Sequence, residues 1–454
     1  MQSWLQKRFN HAHPSTLLLT SYLVAIAGGT FLLMLPVAVT GNNIGLIDAL
    51  FTATSAVCVT GLIVVDTGTY FSPFGQSVIL ILIQIGGLGI MTISVALFQL
   101  LGKRVVFQQR MAMQETFSHT PRKDIYRLIR SIFIFTVIIE AAGAAFLFWH
   151  WRSDFPFAGA LFKAVFHSVS AFCNAGFSLF TDSFISERLS VPLNLTICGL
   201  IVLGGIGFPV VYELYGRIMG RQSRKLSIQT KSVLAVTAGL IVGGTIIIFI
   251  SERLLTTSPN TMDDLLAAFF QSVTCRTAGF NTLDIASLNT ATLLFMMFLM
   301  LVGASPGSCG GGIKTTTLAV LASFSWNRLR HHKCTNLFQK TIPQDTVNRS
   351  ISVLLLSLAV ICLAVFLILF LDPAHGMRTQ GNRQFLSYLF ETVSAFGTVG
   401  LSMGVTPVLT WTGKLVIILL MIIGRVGVPV FTYIIAGGSA TRGVQYAEEN
   451  MMIG

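Results

Sequence analysis

Charge is what this sequence has least of. Only 11% of its 454 residues are Asp, Glu, Lys or Arg, where a soluble domain carries about 25%. With 53% hydrophobic residues and a mean hydropathy of +0.75, it reads as a membrane protein. Acids are scarcer than bases, 18 against 30. The resulting +12 does not call for nucleic acid, because the bases cluster between apolar runs. Cysteine is sparse and unpatterned: the seven show neither a pairing pattern nor metal-ligand spacing. Cys58, Cys173, Cys198 and Cys362, in or beside apolar runs, read as free membrane-buried thiols. A cleavable signal peptide is also missing, since the first apolar run is long and follows Lys7 and Arg8. Paired acids and nucleophile–base motifs are absent, and His167 and His375 stand alone, so a membrane-embedded enzyme finds no support.

What is present is a series of apolar runs of two lengths. Full spans are expected near 15–35, 74–101, 128–149, 191–215, 232–250, 291–324, 351–371 and 410–436. Between them lie half-length runs at 46–57, 158–172, 265–274 and 385–396, too short to cross a bilayer and read as re-entrant pore helices. The loops after each second span are basic: Lys103, Arg104, Arg110, Arg122 and Lys123; Arg217, Arg221, Arg224, Lys225 and Lys231; Arg328, Arg330, Lys333, Lys340 and Arg349. They place one face, with both termini, in the cytoplasm. The other face carries Asp66, Asp154, Asp182, Asp284 and Asp372. The fold class is an all-α integral membrane protein with about eight spanning helices and four re-entrant ones. Its four units, A to D, occupy 1–101, 102–216, 217–324 and 325–436, leaving 437–454 as a polar tail.

Each unit ends its half-length run in one recurring stretch. These are Ser55-Ala-Val-Cys-Val-Thr-Gly-Leu62, Ser170-Ala-Phe-Cys-Asn-Ala-Gly-Phe177, Thr274-Cys-Arg-Thr-Ala-Gly-Phe280 and Val393-Ser-Ala-Phe-Gly-Thr-Val-Gly-Leu401. Phe51, Phe166, Phe269 and Phe390 stand at equal distances before the glycines. Small-residue packing between membrane helices would explain one such copy; four in register indicate one unit used four times. A helix that stops at membrane depth aims its partly negative carbonyl end inward, and Asp48, Asp263 and Asp264 suit the opposite ends. Four such ends, with glycines that let the backbone bend, make a ring of oxygens able to replace an ion's hydration shell.

These motifs resemble the Trk/Ktr/HKT superfamily of potassium transporters over essentially the whole chain, with Gly61, Gly176, Gly279 and Gly400 as the filter glycines. The resemblance implies pseudo-fourfold symmetry around one pore. It also implies a selectivity filter of Val59, Thr60, Gly61, Asn174, Ala175, Gly176, Thr277, Ala278, Gly279, Thr398, Val399 and Gly400. In plant members a serine at the first glycine goes with sodium transport, so Gly61 implies potassium as the transported ion. A sodium or non-selective cation transporter is the alternative, with sodium as a candidate stimulating ion. The Trk branch carries additional N-terminal helices, so the chain is similar to the bacterial Ktr conducting subunit. That implies a homodimer in the cytoplasmic membrane, with the tail at the dimer interface, a separate ring of nucleotide-binding regulatory subunits, and no nucleic acid. Channel-like and symport flux both remain open.

The second spans carry glycines about 25 residues after the filter glycine: Gly86-Gly87, Gly204-Gly205, Gly303 and Gly424. Close packing accounts for the first two. Residues 303–317 differ, because Gly303, Gly307, Gly310, Gly311 and Gly312 with Pro306 cannot stay helical in mid-span. A phosphate-binding loop is the competing reading, but its spacing is wrong and no strand precedes it. The resemblance makes this segment an intramembrane gate of Gly303, Ser305, Pro306, Gly307, Ser308, Gly310, Gly311, Gly312 and Lys314. Arg425, a charge inside an apolar span, is expected to donate to that unwound backbone or to set a barrier in the pore, against the bland alternative of snorkelling to water. Lys314 at the cytoplasmic mouth, Glu140, and Glu391 bracing the filter complete the intramembrane ionisable residues.

Overall fold

In the computed structural model of the chain, residues 14–41, 43–89, 125–218, 225–253, 261–371, 381–428 and 430–431 are described. The basic loop 103–123 and the tail 437–454 lie outside them. Each unit opens with a long apolar helix: α1 Pro14–Leu33, α4 Ile125–Trp151, α8 Ile228–Arg253 and α12 Gln344–Leu371. These four are long and apolar enough to cross a membrane. Each is followed by a short helix: α2 Leu46–Cys58, α5 Phe157–Phe172, α9 Thr261–Thr274 and α13 Gly381–Gly397. At 13 to 17 residues and about 1.5 Å per residue they fall short of a 30 Å bilayer core. They start at the surface, with exposed Leu46, Phe157, Met262 and Phe385, and finish in the interior, where 51–62 and 270–280 are continuously buried.

The second spans depart from the expected eight continuous crossings. The helix α3 (Pro73–Leu88) ends at Gly89, and α6 (Val191–Ile206) meets α7 (Phe208–Ile218) at 97° across Gly207. In unit C, α10 (Thr290–Leu301) and α11 (Thr315–Leu329) flank an open loop, and α14 (Trp411–Val426) ends at Gly427. Gly89, Gly207 and Gly427 have φ of 82°, 96° and 97°. No right-handed helix can pass through that conformation, which only glycine adopts without a Cβ penalty. The glycines upstream do more than pack helices closely. A Cβ on Gly86, Gly204 or Gly424 would run into the backbone oxygen of Val57, Phe172 or Phe396, so each second helix rests on the end of its own unit's short helix.

The short helices of units A, B and D pack against their own first and second helices, α9 of unit C packs against α8 and against α6 of unit B, and α14 also packs against α2, bringing units D and A together. An ion pair of 2.7 Å between Lys414 and Asp48 ties the outer ends of that contact. The outward surface carries Val24, Phe31, Ile81, Val137, Phe146, Leu294, Phe366 and Phe370, an apolar face that suits lipid. Among the described residues the only strands are the antiparallel pair Asn336–Leu337 and Lys340–Thr341, in the basic loop between units C and D. All seven cysteines are free, and Cys362 is exposed mid-way along the flank of α12, a helix long and apolar enough to cross a membrane.

Candidate functional site

The four short helices end alike. The residue two before each ring glycine adopts left-handed backbone: Val59 at φ 57°, Asn174 at 58°, Thr277 at 72° and Thr398 at 51°. In units A, B and D the next N–H folds back five residues, from Thr60 to Ser55 O, Ala175 to Ser170 O and Val399 to Ser394 O, closing a Schellman cap. The glycines follow at φ 89°, 69°, 81° and 91°. Unit C is offset by one residue: its bond runs from Gly279 N to Thr274 O, and the fully buried aromatic is Phe270, with Phe269 only partly buried. Reading equal spacing from the glycines therefore misplaced the aromatic anchor of that unit.

The glycines contact one another in chain order. A Cβ built on Gly61 would strike Ala175 O, one on Gly176 would strike Ala278 O, one on Gly279 would strike Val399 O, and one on Gly400 would strike Thr60 O. The ring closes: each glycine lies against the carbonyl that precedes the glycine of the next unit, and D returns to A. Side-chain hydroxyls hold the bend from behind. Ser55 and Ser394 accept the Gly61 and Gly400 N–H groups, both at 3.1 Å, while Ser170 and Thr274 donate to Phe177 O at 2.8 Å and Phe280 O at 2.6 Å.

The open loop of unit C packs against this ring and the broken helices. Ser305 N and Cys309 N donate to Gly205 O and Gly204 O at the end of α6, and Phe208 N donates to Gly307 O. Gly312 N donates to Gly424 O at 3.2 Å, and Gly311 N to the Thr398 hydroxyl at 2.9 Å. Arg425 donates to Cys309 O in the loop and to Gly86 O on α3, so one guanidinium bridges units A, C and D. Unpaired carbonyls at membrane depth cost several kcal/mol each, on the order given by transfer into hydrocarbon. The loop supplies partners for the ends of α6 and α14, and Arg425 supplies one for the end of α3.

Residues 2–437 match the model of the TrkH family, described as a cation transport protein. The chain is 39% identical to the Ktr system potassium uptake protein B of Vibrio alginolyticus, over 96% of this chain and 94% of that one. It is 39% identical to the protein of the same name from Bacillus subtilis, over 92% of each, and 38% identical to the potassium/sodium uptake protein NtpJ of Enterococcus hirae, over 100% of this chain and 99% of that one. The chain belongs to the TrkH family of cation transport proteins. It is a multi-pass membrane transporter and not an enzyme. The solved structure of the potassium transporter TrkH from Vibrio parahaemolyticus has the same fold, with a TM-score of 0.71 at 20% identity over 93% of this chain and 84% of that one.

Within this TrkH-family fold every expected filter residue lies at the ring, all buried apart from half-buried Gly176 and Gly400. Every expected loop residue lies in the 302–314 segment, which closes on itself through a bridge between Val302 and Ile313. Lys314 caps that segment from within, its Nζ donating to Gly310 O at 2.8 Å, and Ser305 receives the Thr315 hydroxyl at 3.0 Å. Glu140 is not in the ring: it accepts from Gln84 at 3.2 Å and joins α4 to α3. Sequence reading overlooked the partnership of Thr398 with the loop and treated His167 as isolated. The only signal for His167 was its register, nine residues before Gly176, which Glu391 repeats before Gly400.

Proposed function

We propose that this TrkH-family protein takes up potassium across the bacterial cytoplasmic membrane through one pore with pseudo-fourfold symmetry. The closed ring of Gly61, Gly176, Gly279 and Gly400 carries this reading. Backbone oxygens of Val59, Thr60, Asn174, Ala175, Thr277, Ala278, Thr398 and Val399 replace the ion's water, and the fixed spacing of the ring selects the ion. Potassium is the cargo, a reading supported by the potassium uptake names of the relatives. The loop from Gly303 to Lys314 gates the path below the ring, with Arg425 holding its closed arrangement. Two chains form the working unit. A cytoplasmic ring of nucleotide-binding subunits acts on them, in keeping with the word system in the Ktr names.

Transport of sodium is the second reading, favoured by the potassium/sodium name of the Enterococcus relative. Liposomes containing the purified chain and loaded with an ion gradient separate the two. Potassium flux that excess sodium barely inhibits is expected. Replacing any ring glycine by serine should lower that preference, because the new Cβ meets a neighbouring carbonyl. Equal sodium and potassium flux in the wild type, or four serine variants with unchanged competition, would reject potassium selection at this ring.

A further inference from the structure

Two buried titratable side chains stand behind the ring, His167 on α5 and Glu391 on α13. His167 Nδ1 is 2.8 Å from Lys163 O, a bond that puts the ring proton on Nδ1 and leaves Nε2 as an acceptor. Nε2 accepts the Leu179 N–H at 3.2 Å and faces the Ser178 hydroxyl at 3.1 Å. In unit D, Glu391 Oε1 accepts the Ser402 hydroxyl at 2.9 Å and the Thr406 hydroxyl, and the Met403 N–H faces the same carboxylate. Ser178 and Ser402 are each two residues past their ring glycine, and Leu179 and Met403 are three past. Each serine oxygen also accepts the N–H two residues on, from Phe180 at 3.0 Å and from Gly404 at 2.9 Å. An imidazole and a carboxylate thus make the same attachment to the strand that leaves the ring.

Units A and C lack it. Thr52, nine before Gly61, turns its hydroxyl to Asp48 O on its own helix at 2.8 Å. With the one-residue offset of unit C, the position falls to Gln271, which is fully buried with both amide atoms unpartnered. Since the ring runs A, B, C, D, the braced units B and D face each other across it. Sodium is smaller than potassium, so admitting it requires oxygens to close in, and a pinned strand resists that movement.

We infer that His167 and Glu391 are specificity-determining positioning residues, which hold the ring rigid across the B–D diagonal and leave it adjustable across A–C. The inference rests on reading the ring as the filter. Sodium and potassium fluxes are measured in liposomes for Glu391→Met, Ser402→Ala, His167→Leu and Ser178→Ala, with Thr52→Val and Gln271→Leu as controls. The serine variants remove a single oxygen and keep the test open should a larger change prevent folding. Each brace variant should raise the sodium-to-potassium flux ratio about tenfold, the scale of one hydrogen bond to a charged or buried group. The controls should stay within about twofold, and Glu391→Met with Ser402→Ala should do no more than either alone, because they cut one link. A brace that only supports the fold would lower thermal stability and total flux at an unchanged ratio, and that result overturns the inference. So does an equal shift in the controls. Wild-type liposomes that carry no potassium would reject the transport reading separately. The brace is then judged by hydrogen exchange at 176–181 and 400–406, which the serine variants must accelerate; unchanged exchange overturns it.

Discussion

The second helices of units A, B and D break at a single glycine, whereas that of unit C opens into a loop between Leu301 and Thr315. The difference separates what a break removes from what repairs it. A lone glycine ends a helix cheaply but leaves carbonyls without intrahelical partners. Gly204, Gly205 and Gly424 then accept from loop N–H groups, and Gly86 accepts from Arg425. The unit C loop thus supplies units B and D with backbone donors, while unit A takes its donor from Arg425 of unit D. Opening the loop therefore uncaps several helix ends together, which suits a two-state element better than a gradual one.

The strongest way to break this comparison is Gly424→Ala, whose Cβ meets the backbone oxygen of Phe396. Overpacking against backbone costs about 1–3 kcal/mol or more. The expected result is a lowered thermal midpoint and more than about tenfold loss of transport, matched by Gly204→Ala and Gly86→Ala. Normal flux in all three would show that the helix-on-helix rests are dispensable. Arg425→Ala comes next. It leaves Cys309 O and Gly86 O without their donor, a cost of several kcal/mol on the closed arrangement. Flux should rise while ion preference stays, as should happen on deleting residues 308–310. A fall in flux would make the loop a support for the ring and not a gate.

Gly207→Ala should act more weakly. At φ 96° the alanine costs about 1–2 kcal/mol, and its Cβ also crowds Pro306 O at 2.6 Å. Stability should drop measurably, with the 97° bend between α6 and α7 relaxing in spin-label distances. An unchanged midpoint would mean the bend is held by the loop alone. Thr398→Val is the smallest change: it removes the acceptor of the Gly311 N–H, worth about 1 kcal/mol. A modest rise in flux without loss of selectivity is expected, and no rise would detach the loop from the ring.

How much of this was legible follows from which features are local. The four first helices, the four short ones, the fourfold stretch around Gly61, Gly176, Gly279 and Gly400, and the glycine-rich 303–312 segment follow one-dimensional patterns, whereas the second spans, read as continuous runs, are interrupted. Gly86-Gly87 and Gly204-Gly205 could equally sit inside continuous helices; the breaks fall instead at Gly89 and Gly207, where positive φ is required. Left-handed Val59 and Thr398 run against their own β-branched preference, so only the surrounding packing can impose that conformation.

Sequence by itself determined the membrane class, the order of long and short helices, and the four glycines, because burial of apolar surface and backbone freedom are written residue by residue. Tertiary structure alone decided the order of contacts around the ring, the offset that buries Phe270, and the second hold of Arg425, on the Gly86 carbonyl 339 residues away. Those depend on where a backbone oxygen is left unpaired after folding. No run of residues states that, since the partner is fixed only when distant segments share one dry interior.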